Sequence, residues 1–511
     1  MRRTALLLTL ALLVAPRVAR ADDTETFVHA VGLFKAGTFS DAAREFYGLA
    51  NGPKGITRQQ SEYYLAESFY GMKLYQSALS YYGAILDQGP THPKYADALV
   101  GLVKVDEALG DDVIIPSRLN KEYDTAANVL GAKDFPQAAL LKINYIVGRV
   151  NYEKGRYADA VSFLDTVTPD SSYYARAQYL RGIVLARMGK NAQAAVAFEK
   201  TLGIKNPPLK SGKTQYLELG DIHDLALLGA ARVAYGQGEY AKSVKYYEAV
   251  PRFSRFWDQA LFEDGWARFQ NEDLGGALGS LQALHAPQFE GSFQPESWIL
   301  SSTVYFFSCL YDEAQFALKS YEDIYLPMAK KIQPLLDGDH DNDFYAGLLA
   351  PSQASQLPPA VRNYLEANSR LTGFRTFLSQ LDAEKAQVNA IQDWRATPMT
   401  QELDQTIDAQ KQLLTQVTGK FVKERLRDVV GTIKGFEGQV AIIRFETTKA
   451  EKEILESNTD MQARLAKQKL YRPKMPAENW EYWSFQGEFW IDEIGYYQYT
   501  LRSGCAKSKA D

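Results

Sequence analysis

Cysteine is nearly absent from this chain, with Cys309 and Cys505 the two in 511 residues. So few cannot form a disulfide framework. The pair is read as two separate thiols, with one bridge from the tail to the middle of the chain as the alternative. Histidine is scarce as well: His29, His92, His223, His285 and His340 are widely scattered. None has H-x-x-x-H spacing and no cysteine pair accompanies them, so no zinc site is readable. There is no G-x-S-x-G elbow and no phosphate-binding loop. Charge of either sign is not in excess, the net being −5. That excludes the basic surplus of a nucleic-acid binder and the acidic surplus of a disordered chain. No catalytic residue, cofactor or metal is expected, and no nucleic-acid partner.

One acidic cluster, "DGDHDND" with Asp337, Asp339, Asp341 and Asp343, has the oxygen chemistry that calcium prefers. Its spacing fails as an EF-hand loop, because Asn342 stands where glycine is needed and Leu348 where glutamate is needed. A solvated acidic loop is the reading adopted.

The first segment is not part of a fold. Arg2 and Arg3 precede an apolar run from Ala5 to Ala15, and Ala19-Arg20-Ala21 is an A-x-A cleavage pattern. Residues 1–21 are read as a signal peptide, and no later apolar run is long enough to span a membrane. The expected location is the periplasm of a Gram-negative cell.

What the chain does have is internal repetition. "YIVGRVNYEKGRYADAVSFLDTV" begins at Tyr145 and "YLRGIVLARMGKNAQAAVAFEKTL" at Tyr179. Gly148 and Gly182, Gly155 and Gly189, and Ala160 and Ala194 are each 34 residues apart. Small residues at fixed offsets let two helices approach closely, and Leu164 or Phe198 fills the gap beside the next pair. The pattern recurs around Gly37 and Phe46, Ala66 and Tyr82, Gly238 and Tyr247, Gly265 and Leu281, and Ser302 and Leu318. A degenerate unit is placed between Tyr95 and Ala139. A constant period with this content marks a helical repeat array.

At these positions the chain resembles the tetratricopeptide repeat family, over about residues 24 to 325. The resemblance implies an all-α solenoid of stacked helix pairs, whose first helices line a concave groove for a protein partner. Carried onto this sequence, the groove positions are Tyr63, Glu67 and Tyr70; Tyr145, Arg149 and Tyr152; Tyr179 and Arg187; Arg232 and Tyr235; and Trp266 and Phe269. Tyrosine, tryptophan and arginine are the residues that protein-binding hot spots favour. The competing expectation for each tyrosine is that it packs between helices.

Beyond the repeats (22–326), Pro327, Pro334, Pro351, Pro358 and Pro359 predict a joint of short helical pieces over 327–360. Over 361–470 the apolar spacing predicts long helices. Leu371, Phe374, Leu378, Leu381, Val388 and Ile391 form one series. Val422, Leu426, Val429, Ile433, Phe436, Val440 and Ile443 form a heptad-like second. An antiparallel hairpin is expected, with pairing to a second copy as the alternative. In the aromatic segment 471–511, "WEYWSFQGEFW" leads into Trp490, Ile494, Tyr497 and Leu501, spaced as one helix face. That last helix is expected to dock on the long helices or the last repeat. Docking on another protein or stacking on glycan are the alternatives. Trp483, Gly487, Glu488, Trp490, Asp492, Glu493, Gly495, Tyr496 and Tyr497 resemble the tail of exported repeat proteins of the gliding-myxobacterial envelope. This implies a scaffold within an envelope, or motility, complex. The other reading is a peptidoglycan-binding or outer-membrane-assembly module.

Overall fold

The computed structural model describes residues 21–110, 114–206, 216, 218–457 and 487–501. The expected leader up to Arg20 and the stretch Trp480–Gln486 lie outside the described residues. Every regular element among the described residues is helical. Consecutive helices form pairs of the kind expected for tetratricopeptide repeats, and a long final helix follows, Pro398–Ser457. No helix among the described residues is long and apolar enough to cross a membrane.

One connection recurs between the helices of a pair. The amide of the residue after the turn donates to a carbonyl five residues back: Thr38 to Leu33, Arg156 to Asn151, Lys190 to Leu185, Glu239 to Ala234, each at 2.9–3.0 Å. This is the bond of a Schellman motif, which needs a left-handed residue just before the donor. Gly37, Gly155, Gly189 and Gly238 supply it, at φ of 79°, 74°, 72° and 77°. Lys73, Glu272 and Cys309 take the same place at 62°, 62° and 56° without glycine's freedom. Leu74, Asp273 and Leu310 make the same bond after them. The 34-residue period is thus the spacing of a repeated helix stop.

The close approach read from the small residues is present. A side chain on Gly182 would meet the Phe198 ring at 2.6 Å, and one on Gly229 would meet it at 2.5 Å. Phe198, buried, therefore fills the space between its own pair and the first helix of the next. Leu164 packs as closely on Gly148 of its own pair, where an added Cβ would meet it at 2.9 Å.

The chain forms two compact units. The first is 1–139 with 379–411. Its pairs are Ala21–Lys35 with Phe39–Ala50, Ile56–Gly71 with Tyr75–Asp87, and Tyr95–Leu109 with Ile114–Glu122. Against them lies an antiparallel hairpin, made of parts of Ser369–Ala390 and Pro398–Ser457. Its ladder of Lys385 with Asp408 (2.6 Å), Asn389 with Asp404 (2.9 Å) and Lys411 with Asp382 (2.5 Å) fixes the register. The hairpin grips the second helices. Trp394, buried, donates its indole N–H to the Ser40 carbonyl (3.3 Å) and packs edge-on to Phe69. Tyr47 and Tyr81 both donate to Glu402, at 2.8 and 3.0 Å. Glu384 accepts from the amides of Gln76 (2.8 Å) and Ser77 (2.7 Å) and from the Ser77 hydroxyl (2.6 Å). Those amides belong to the first turn of Tyr75–Asp87 and have no partner within that helix. A carboxylate there also suits the helix dipole.

The second unit is 140–378 with 412–511. It runs from the helix Gln137–Glu153 and its partner Tyr157–Asp165 through Tyr174–Arg187 with Asn191–Leu202, Leu219–Gly236 with Tyr240–Glu248, and Trp257–Gln270 with Leu274–Leu284. It ends on Glu296–Phe307 with Tyr311–Asp337. The last helix corrects one expectation: Pro327 and Pro334 lie inside it rather than after it. Each interior proline costs roughly 3 kcal/mol. Tyr321, Tyr325, Ala329 and Ile332 are all buried along one face of the helix, at about 1–3 kcal/mol each, and offset that cost.

A second correction concerns pairing with another copy. Val422, Leu426, Val429, Ile433 and Val440 are buried within the chain. Ile433 accepts from the buried Tyr321 hydroxyl, Phe436 packs edge-on to Tyr321, and Arg444 pairs with Glu322 at 2.8 Å. The heptad seam is spent inside the molecule and is not free for a second copy.

The tail is the third correction. Residues 487–501 contain no helix. Trp490–Ile494 closes one turn, with the Glu493 and Ile494 amides on the Trp490 carbonyl at 3.0 and 3.1 Å. Gly495, at φ 92°, then ends it. From Tyr496 to Leu501 exposure alternates residue by residue, with Tyr497, Tyr499 and Leu501 turned inward. Period two, in a run rich in tyrosine and threonine, is strand-like. It outweighs the helical spacing of Trp490, Ile494, Tyr497 and Leu501.

The tail docks on the pair Trp257–Gln270 and Leu274–Leu284, not on the long helices. Ile494 is fully buried in a cluster with Trp257, Leu261, Ala283 and Leu284. The Tyr499 amide donates to the Gly275 carbonyl at 3.0 Å, and the Tyr499 hydroxyl to Gln282 at 3.1 Å. Gly275, Gly279 and Ala283 make a lane of small residues along the second helix. A Cβ on Gly279 would strike the Tyr497 carbonyl. Cys309 is disulfide-bonded, which corrects the reading of separate thiols; the chain's other cysteine is Cys505.

Candidate functional site

The first helices of the second unit carry most of the residues singled out for partner binding. Leu219–Gly236 presents Arg232 and Tyr235, and Trp257–Gln270 presents Glu263, Trp266 and Phe269. Arg232 makes a two-point pair with Glu263, Nε to Oε2 at 2.8 Å and Nη2 to Oε1 at 2.6 Å. Planar forks of this kind fix orientation as well as adding energy. The Tyr247 hydroxyl donates to the same carboxylate at 3.0 Å. Tyr247 is the eighth residue of its second helix, the place Phe198 holds in the previous pair. Its ring fills the gap between helices, while its hydroxyl reaches through to the first-helix face.

These groups form an open depression of about 330 Å³ lined by Arg232, Tyr235, Tyr247, Glu263 and Trp266. Burial, the Glu263 charge and the hydrogen bond to it all push the Tyr247 phenol above its usual range, so it stays a donor. Burial alone would weaken the Arg232 charge, but the bonds and charge of Glu263 outweigh it and hold the guanidinium above its ordinary value. Burial raises the Glu296 carboxyl, and the neighbouring Trp266 indole opposes that rise in part. The pocket has aromatic walls and a fixed ion pair, which suits gripping a side chain rather than transferring a proton.

The aromatic face extends to either side. Tyr179 is pushed up to about 12, by burial first, with Arg232 opposing and Tyr152 and Tyr145 adding to the rise. Tyr145, Tyr152 and Arg232 are thus near enough to Tyr179 to act on its charge. Phe269 packs on Trp266 at 5.8 Å and on Phe307 at 5.7 Å. Arg187 is exposed, while Arg149, Tyr152, Tyr235 and Trp266 are half-buried. Tyr145 is buried and lies 5.3 Å from the Tyr173 ring, so it supports the face from beneath.

In the first unit the same device appears with different spacing. Tyr82, again eighth in its second helix, donates to Glu67 at 2.7 Å. Lys104 approaches Glu67 at 3.3 Å and lies 5.8 Å from the Tyr70 ring centre, while Lys94 lies 5.0 Å from that of Tyr63. Tyr63, Glu67 and Tyr70 thus share one face, each tied to a lysine.

Sequence reasoning missed Tyr247, Glu263 and Glu296. Tyr247 was legible only as a gap filler, and a tyrosine where its neighbours have Phe198 or Leu281 was the signal for a polar role. Glu263 lies three residues before Trp266, on the same helix face. Two of the aspartates of 337–343 serve the fold: Asp341 caps Asn342–Gly347 through the Phe344 amide at 2.9 Å, and Asp343 accepts from Gln416 at 2.8 Å. Among the described residues no three metal-ligating side chains converge.

No family model matches this chain. No curated protein matches it either. Among solved structures it is similar to a tetratricopeptide repeat protein from Parabacteroides merdae, at 15% identity over 52% of this chain and 93% of that one, TM-score 0.32. It is also similar to the apo form of RapI, at 11% identity over 76% and 98%, TM-score 0.34. The tetratricopeptide domain of P58(IPK) is a further likeness, at 16% identity over 68% and 100%, TM-score 0.20.

Proposed function

We propose that the protein is a non-enzymatic scaffold that binds partner proteins on the first-helix face of its repeats. The observation that carries this reading is the open depression lined by Arg232, Tyr235, Tyr247, Glu263 and Trp266, aromatic walls around a two-point ion pair. Hot spots at protein interfaces combine these residue types in partly closed pockets. Arg187, Tyr152 and Tyr179 extend the face, and Tyr63, Glu67 and Tyr70 give the first unit a comparable one. The partner is proposed to be a protein or peptide of the cell envelope, with the scaffold in the periplasm, and membership of a motility complex is the narrowest form of the proposal. The support for that placement is sequence alone: the leader pattern ending at Ala21 and the composition of the tail.

The test is crosslinking in living cells from a photoreactive residue at position 235. A discrete protein adduct is expected, one that is lost when Arg232→Ala is added. Retention on purified peptidoglycan with no protein adduct at 235 would replace this reading with a glycan-binding one.

A further inference from the structure

A second surface, sharing no residue with the first-helix pocket, is built where the tail meets the loop after Tyr240–Glu248. Arg252 organises it. Its guanidinium donates to the carbonyls of Ile491 (2.8 Å) and Asp492 (3.1 Å) and lies 4.8 Å from the Tyr496 ring centre and 5.7 Å from that of Trp257. Ile494 anchors the turn from below and is fully buried. With those groups fixed, the remaining apolar side chains face outward: Phe253 is 60% exposed, Ile491 60%, Tyr496 56% and Trp490 51%.

Phe253 also has φ of 64°. A bulky aromatic residue in that region is a genuine outlier and costs on the order of 1–3 kcal/mol. Local folding alone would favour glycine there and would not leave the ring wet. Clusters of large exposed apolar groups mark interaction sites.

The rim is acidic. Asp492 and Glu493 are both exposed. Of the two cations of the adjoining loop, Arg255 pairs with Asp221 on the surface at 3.0 Å, and Arg252, half-buried, keeps its charge but turns its guanidinium to the tail carbonyls. We infer that Phe253, Ile491 and Tyr496, rimmed by Asp492 and Glu493, form a docking surface for a protein segment whose large apolar side chains are flanked by lysine or arginine. The acidic rim repels anionic lipid headgroups and draws a basic partner.

This inference does not rest on the role proposed for the first-helix pocket. Its test uses the full chain, titrated with a synthetic Leu/Lys amphipathic peptide, its Leu/Glu counterpart and phosphatidylcholine vesicles. The Leu/Lys peptide is expected to bind at least about tenfold more tightly than Leu/Glu, weakening with salt. Phe253→Ser with Tyr496→Ser should remove that preference, and Trp266→Ala should leave it unchanged. Because the double variant alters packing on Arg252 and Trp257, Glu493→Lys, at an exposed position, is the second variant and should at least halve the preference. Equal binding of the two peptides, loss with Trp266→Ala, no effect of Glu493→Lys, or saturable binding to the vesicles would each overturn the inference.

Discussion

The hydroxyl of Tyr247 donates to the carboxylate of Glu263 at 3.0 Å, through the gap between two consecutive helix pairs. A residue that packs pairs together therefore also sets the position of the carboxylate that holds Arg232. Tyr247→Phe keeps the ring and removes the donor. Burying the carboxylate without it is expected to cost about 1 kcal/mol, seen as a lower unfolding midpoint. The crosslinking from position 235 should fall with it, because Glu263, which holds Arg232, loses one of its two anchors. An unchanged midpoint and unchanged crosslinking at position 235 would show the hydroxyl to be incidental.

Glu384 stands in for a helix cap from more than 300 residues away. It is held above the usual carboxyl range by burial, and the bonds from Ser77 and Gln76 oppose that rise. Glu384→Gln leaves one acceptor oxygen for two amides and a hydroxyl, and 1–3 kcal/mol of stability should be lost, by analogy with caps and buried unsatisfied donors, at roughly that scale. Hydrogen exchange at Gln76 and Ser77 should rise first. Exchange unchanged there would refute the capping role.

The left-handed turn residues give a paired prediction. Gly189→Ala should destabilise by about 1–2 kcal/mol, because the Cβ meets the following carbonyl. Lys73→Gly, at the equivalent turn, should stabilise by up to about 1 kcal/mol. Thermal midpoints moving in the same direction for both would mean that the turns are not equivalent.

His285 should make the fold acid-sensitive. Burial lowers it from 6.5 to about 3, and its ring stacks on Trp298 at 3.6 Å. Ser297 spends its hydroxyl proton on the Gln294 carbonyl, so the imidazole Nε2 must donate to Ser297, which requires only the neutral ring. Below pH 6.5 the unfolded chain takes up the proton and the folded chain resists until about pH 3. Stability therefore falls as pH falls through that window, by about 2 kcal/mol between pH 7 and 5. His285→Phe should flatten the urea-denaturation midpoint across that range by about that amount. Parallel curves for the two proteins would contradict it.

Tail docking depends on the small-residue lane. Gly279→Val should displace residues 487–501, read as loss of exchange protection at the Tyr499 amide with helicity unchanged. Protection retained would mean that the tail is held from elsewhere.

The repeats were legible because their signals are local. A turn glycine, a small residue and a gap filler recur at a fixed spacing, and neighbours obey the same sterics. Of the site, the residue types were legible and the pairing was not: Arg232 and Glu263 meet only when two pairs stack. Glu384 and the Gly275–Gly279 lane were invisible for the same reason, since their partners lie hundreds of residues away. In the tail, two periods competed in one short segment. The helical spacing was read although Gly495 and the alternation of Tyr497, Tyr499 and Leu501 favoured an extended chain. Pro327 and Pro334 misled because their local cost is outweighed by burial of Tyr321, Tyr325, Ala329 and Ile332.

The central claim is that partners bind on the first-helix face. The most direct measurement is the affinity of the protein crosslinked at position 235, purified and titrated against one variant on the first-helix face and one on a second helix of the neighbouring pair. Trp266→Ala should weaken binding by about thirtyfold, the ~2 kcal/mol of an interface hot spot, and Lys242→Ala, on the exposed second helix, should leave it within about twofold. Equal affinities for wild type and Trp266→Ala, or equal losses from both substitutions, would contradict the account.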